Sequence, residues 1–382
     1  MKNILIFSLL ILLPSFSLLA QPVQIDPEPF EDNSRHWYNI VDKSNVVNPL
    51  PNHPKYAPTE VKQIADNILL LQKNNGGWAK NYDVFAVFTE AQKDSLRADS
   101  VKADTNTTFD NQSTFTQINA LAVAYQALND EKYAKAALRG LDFILASQYE
   151  NGGFPQFFPL RNNYSRHITY NDNAMIGVMV LLKAIADNDP LYSFVDKTRR
   201  EKLKIAYEKG LDCVLKTQIF DNGKLTVWGQ QHDEITLAPA GARRYELPSI
   251  CNKESAALTL FLMSIDNPSP QIIKSIEAAV AWFEESKVYN LRVVRVSAPE
   301  VFTGYKISRT DRIAVVDSTA PPIWARFYEL GTHRPLFCNR DGSRVYSLDE
   351  VARERRDGYG WYINDPQAVL NAYPEWKLRI KK

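Results

Sequence analysis

Three segments of this chain end in the same way. LLLQKNNGGW (69–78), FILASQYENGGF (143–154) and CVLKTQIFDNGKLTVW (213–228) each close a helical pattern with a glutamine, turn at an Asn-Gly pair and resume on an aromatic side chain. A glycine just past a helix end supplies the left-handed cap geometry, so any one of these turns can be simple punctuation. Three with matching flanks argue for repeated helical hairpins. Gly76, Gly152 and Gly223 lie 76 and 71 residues apart, about the span of two helix pairs.

The segments between the turns support this reading. Leu203, Tyr207, Leu211 and Leu215 recur every four positions, as do Ile272, Ile276 and Val280 with Phe283 following, which is the period of a helix with one apolar face. Stretches 120–127 and 174–185 are apolar nearly all round, and such helices are buried on all sides. Helices of both kinds imply an inner layer wrapped by an outer one. The expected fold is mainly α, an (α/α) toroid or barrel of repeated hairpins whose mouth offers a cleft to a polymer. Short β segments are expected near 290–316, where Val293, Val294, Val296, Ile313, Val315 and Val316 gather.

The ends and the composition bound the function. Residues 1–20 run from Lys2 through an apolar stretch to Ala20, the pattern of a cleaved secretory signal. Pro14 and several serines break the run too early for a membrane span. Residues 21–382 lack a linker or low-complexity tract and read as one catalytic domain, secreted or periplasmic and expected to be a monomer. The chain holds 45 basic and 44 acidic side chains, and loss of Lys2 with the signal balances them. Neither nucleic acid nor a membrane surface is implied. Cys213, Cys251 and Cys338 are too few and too scattered for a metal motif; one disulfide among them stays open. The chain has no GxSxG elbow, HExxH, nucleotide loop or CxxC, which sets aside nucleophilic hydrolase, zinc and nucleotide chemistry.

Four constellations can carry chemistry. In TTFDNQSTFTQI, Asp110 and Asn111 precede a helix that Thr114 and Gln117 can open as a capping box. RHITYNDNAM has the same form, with Asn171, Asp172 and Asn173 ahead of an apolar helix. Each reads as helix capping or as half of an oxygen-rich site suited to a hard cation such as calcium. VWGQQHDEITLAPAGARRYELPS (227–249) packs His232, Asp233, Glu234, Arg243, Arg244, Tyr245 and Glu246 into a loop-like stretch, where function tends to sit; His232 can equally be structural. Around 309–342, Arg312 and Arg326 flank a β-like piece, with Arg326 in an apolar context between Trp324 and Phe327.

Together these segments resemble polysaccharide lyase family 10, the pectate lyases. The resemblance rests on NNGGWAKNYD, TFDNQSTFTQI, NGGFPQFFPL, RHITYNDNAM, KLTVWGQQHDEITLAPAGARRYELPSI, FLMSIDNPSP, APPIWARFYELGTHRPLFCNRDG and ERRDGYGWY, spanning about 60–362. It implies calcium-assisted β-elimination of polygalacturonate, with activity rising above neutral pH. It also implies that Asp110, Asp172 and Asn111 bind the metal. Arg243, Arg312, Asn171 and His232 would bind substrate, and Arg326, the arginine of WARFY, would be the Brønsted base. The chain departs from the family pattern in reading Arg309-Thr310-Asp311 for Gly-Lys-Asp, and Asp172-Asn173 for Asp-Asp. Both changes are expected to weaken calcium binding or alter the accepted uronate pattern. Two other readings remain: a glycoside hydrolase pairing Asp172 with Glu234 as acid and base, and a pectin-binding protein without turnover.

Overall fold

The glutamines that end the three repeats turn out to join neighbouring helices. The computed structural model describes residues 22–40, 45–303 and 307–380; the signal expected at 1–20 lies outside them. Helices dominate, with several small sheets. An outer row is formed by Val61–Leu71, Glu131–Ser147, Lys197–Thr217 and Pro270–Glu285, and an inner row by Phe115–Leu128, Ala174–Ala186 and Asn252–Met263. Asp365–Arg379 packs on the last inner helix. Gln72 donates to the carbonyls of Gly76 and Ala136, both at 2.9 Å. Gln148 donates to Gly152 and Ala206 at 3.0 and 2.8 Å, and Gln218 to Thr226 and Ser275 at 2.8 and 3.0 Å. Each amide thus closes its own turn and grips the next outer helix. The aromatic residues that follow, Trp78, Phe154 and Trp228, are buried beneath these joints.

Two expectations about the repeat need correction. The period from Gly152 to Gly223 holds one inner and one outer helix rather than two helix pairs, and the period from Gly76 to Gly152 adds to its pair only the short α-helices Glu90–Arg97 and Asp99–Ala103. The three turns also differ. Gly76 and Gly152 adopt φ of 93° and 90°, and a Cβ would stand 2.3 Å from the Arg139 carbonyl oxygen at the first and 2.0 Å from that of Lys209 at the second. Gly223 sits in the tight hairpin Phe220–Asp221/Lys224–Leu225 with nothing within 4 Å, so at the third turn the glycine serves the turn alone and Gln218 makes the joint.

The β segments near 290–316 are longer than expected. Leu291–Phe302 pairs antiparallel with Ile307–Val316 as an arm of largely part-exposed residues. The helix Arg353–Gly358 packs on it, and Asp311 takes the Arg356 guanidinium at 2.9 and 2.6 Å. The three cysteines are free and buried, so the open disulfide does not form. No described helix is long and apolar enough to cross a membrane.

Candidate active site

The inner helices Phe115–Leu128 and Ala174–Ala186 are each preceded by a short 3-10 turn, Asp110–Gln112 and Asn171–Asn173. The two turns are built alike and touch. Asn111 and Asp172 both take φ of 52°, a left-handed conformation that Asn and Asp tolerate best among non-glycine residues. No capping box forms at the first turn: Thr114 adopts φ 74° and its hydroxyl donates to the Thr108 carbonyl at 2.8 Å. Freed from capping, the polar side chains line one open cleft of about 1760 Å³.

Asp110 is buried on that wall. One oxygen, Oδ2, pairs with Lys80, and the other, Oδ1, is buried without a hydrogen-bond partner. Burial raises its pKa, but Lys80 above all, then Gln156 and Arg243, outweigh this and hold it below the usual carboxylate range. Asp172 goes the other way, pushed up to about 7 by burial and then by Asp110, against Lys253 and Arg326. Asn171 Nδ2 donates to Asp172 at 2.5 Å, while Asn171 Oδ1 accepts from Gln230 at 2.6 Å and Arg326 at 3.1 Å. Two mutually repelling carboxylates, with one buried oxygen unsatisfied, fit a hard divalent cation with oxygen ligands.

Arg243 and Arg312 also line the cleft. Glu246 receives Arg243 Nε and Nη2 at 2.7 and 2.5 Å. Burial disfavours the Arg243 charge, but this ion pair overrides it and raises the pKa. Arg312 reaches the cleft from the β arm, donates to the Tyr359 carbonyl at 3.2 Å and has a lowered pKa, through burial and then Arg295.

Three of the expected residues lie off the open cleft. Arg326 is 7 % exposed, does not line the cleft and pairs with Glu254 at 2.7 Å. Burial opposes its charge, yet Glu254 holds it protonated. His232 is wholly buried: Nε2 accepts from the Gly229 amide and Nδ1 meets the Leu237 carbonyl, both at 2.9 Å. Burial lowers its pKa to about 4, so it is a neutral structural histidine away from the cleft. Glu234, the partner proposed for Asp172 in a hydrolase, is off the cleft and tied to Arg166 at 2.6 Å and His167 at 2.9 Å. With Asp233 these two form a compact cluster, but the Asp233 carboxylate accepts from Ile235 and Thr236 and the group is satisfied internally.

Sequence reasoning missed Lys80, Lys253, Glu254 and Arg295, all on the cleft. A signal was there for two of them. Asn252, Lys253 and Glu254 open the third inner helix, a polar triplet ahead of an apolar run like those at 110–112 and 171–173.

The family model described as pectic acid lyase matches residues 72–370. No curated protein matches the chain. Solved structures do, among them a family 10 polysaccharide lyase from Cellvibrio cellulosa and a point mutant of that enzyme in complex with trigalacturonic acid. Each is 31 % identical with a TM-score of 0.68 and covers 82 % of this chain, and the matches cover 91 % and 92 % of the respective solved chains. The chain belongs to the pectic acid lyases of polysaccharide lyase family 10.

Proposed function

We propose that this protein is a pectate lyase that cleaves polygalacturonate by β-elimination, with calcium held by Asp110, Asp172 and Asn111. The observation that carries the reading is the meeting of two like-built acidic turns in one cleft with Arg243 and Arg312. Export directed by residues 1–20 and action of residues 21–382 as a monomeric catalytic domain complete it. The stapled double row of helices supports closure into an α/α toroid.

Elimination removes H5, α to the uronate carboxylate, and breaks the C4–O4 bond to the next sugar. The C5–H electron pair becomes the C4=C5 double bond, and the departing oxygen takes a proton from solvent. Calcium bound to the uronate carboxylate would neutralise the charge that develops there, on the order of several kcal/mol. Arg312, on the same cleft, adds a guanidinium suited to holding a carboxylate of a neighbouring uronate. The base must reach the sugar held at the two turns. Arg243 lines the cleft and Arg326 does not, which supports Arg243 as base in place of Arg326. Arg326 then orients Asn171 and neutralises Glu254 from behind. Because Glu246 keeps Arg243 protonated, the neutral guanidine forms only at high pH, and the rate climbs through the alkaline range.

The test follows ultraviolet absorbance of the unsaturated uronate during digestion of polygalacturonate, with calcium or chelator. The expected signal needs calcium and falls roughly 10²- to 10⁴-fold in Arg243→Ala, while Arg326→Lys, which keeps the charge beside Glu254, retains the alkaline profile. Release of reducing sugar without absorbance would mean hydrolysis instead. An active Arg243→Ala beside an inactive, calcium-binding Arg326→Lys would return the base to Arg326.

A further inference from the structure

The β arm carries a charge arrangement that the elimination step does not use. Arg295 on Leu291–Phe302 stands directly opposite Arg312 on Ile307–Val316 in the antiparallel register. Like charges in that position weaken a strand pair, and both side chains line the cleft. Their Nε atoms approach one oxygen, Asp357 Oδ1, at 3.7 and 3.8 Å. Neither approach is a hydrogen bond, and Oδ1 is buried without a partner. The other oxygen, Oδ2, accepts from the hydroxyls of Ser308 and, at 3.2 Å, Thr310. Asp357 is therefore pinned in place and balances only one of two guanidinium charges. The Arg295 side chain is 57 % exposed, so its donors are open to a ligand.

We propose that Arg295 and Arg312 form a second carboxylate clamp, which takes a uronate carboxylate other than the one at the reacting sugar. Asp357 is the fixed counter-charge that sets the two guanidinium groups side by side. The proposal rests on the pectate lyase reading for the identity of the polymer. A planar guanidinium pair suits a carboxylate bidentately, and a polyuronate offers one on every sugar. Arg295 is thus a binding residue that makes the enzyme prefer long, unesterified stretches. It touches neither the reacting carbon nor the metal site.

The test is affinity electrophoresis in gels containing polygalacturonate or its methyl ester, together with kinetics on the polymer. Arg295→Gln is expected to weaken retardation by polygalacturonate about tenfold, the size of one charge-assisted hydrogen-bond pair, and to raise KM similarly while leaving kcat near wild type. Retardation by the methyl ester stays unchanged. Arg292→Gln removes the same charge from the same strand, but Arg292 pairs with Asp317 at 2.7 Å outside the cleft, and it should behave as wild type. Equal weakening by both variants would reduce the clamp to diffuse surface charge, and undiminished binding by Arg295→Gln would overturn it. If wild type binds the polymer but forms no unsaturated product, the lyase reading falls, and the clamp still stands or falls on the Arg295→Gln gel.

Discussion

Replacing Asp172 with asparagine is expected to stabilise the calcium-free protein while removing its response to calcium. Burial and then Asp110 lift this carboxyl from 3.8 to about 7. An acid with a raised folded pKa lets the native state hold a proton that the unfolded chain has released. Stability is therefore complete below about 3.8, declines as pH rises, and carries the full penalty above about 7. The rise corresponds to a ceiling of about 4 kcal/mol; because Asp172 borders an open cleft, screening brings the expected penalty to about 1–2 kcal/mol. Asparagine keeps the side-chain oxygen that accepts from Asn171 at 2.5 Å and tolerates the φ of 52°, and the attraction to Lys253 and Arg326 that it gives up is already counted in the net rise. In chelator at pH 8 the variant should melt a few degrees above wild type. At pH 5 the folded carboxyl is largely protonated while the unfolded one is ionised, and the gap should narrow to roughly a third. With calcium at about a hundredfold over its Kd, wild type gains about 2.7 kcal/mol and the order reverses. A variant no more stable than wild type in chelator at pH 8, or a gap unchanged at pH 5, would show that Asp110 and Asp172 do not oppose one another, and the shared-cation reading would lose its basis.

Two further outcomes test the frame around the cleft. Glu254→Gln leaves the Arg326 charge buried without its carboxylate and is expected to cost about 3 kcal/mol, the lower end for breaking a buried pair because glutamine keeps an acceptor; an unshifted urea midpoint would mean that Arg326 is already balanced elsewhere. Gly152→Ala and Gly223→Ala both force alanine into positive φ, at roughly 1–2 kcal/mol. Only the first also drives a Cβ to 2.0 Å from the Lys209 carbonyl, so it should cost clearly more. Equal losses would contradict the contrast drawn between the glycine packed against a neighbouring helix and the one in open space.

What could be read in the sequence was what is local, and what could not was which residue lies across from which. Gln148, Asn151 and Gly152 announce a helix end and a turn because those preferences act within a few residues. That Gln148 reaches the Ala206 carbonyl involves a helix 58 residues on, and without it the period was assigned two helix pairs. The apolar runs of the β arm were visible, but Arg292, Arg295 and Arg312 interrupt them and disguised its length. Arg295 acquires meaning only from the register that sets it against Arg312. The apolar setting of Arg326 between Trp324 and Phe327 was a sound local sign of burial, and its partner Glu254 lies on an inner helix 72 residues away. His232, in a run of polar neighbours, gave no local sign of the two bonds that bury it. Family resemblance located the acids and arginines without saying which of them face the polymer. The repeat supplies that distinction. A polar triplet stands at the start of each of three inner helices, and its chemistry differs between them: Asp110 and Asp172 are set against one another, while Glu254 holds a buried guanidinium. A repeated scaffold thus presents carboxylates to two different cations, one to be bound from solution and one built into the chain.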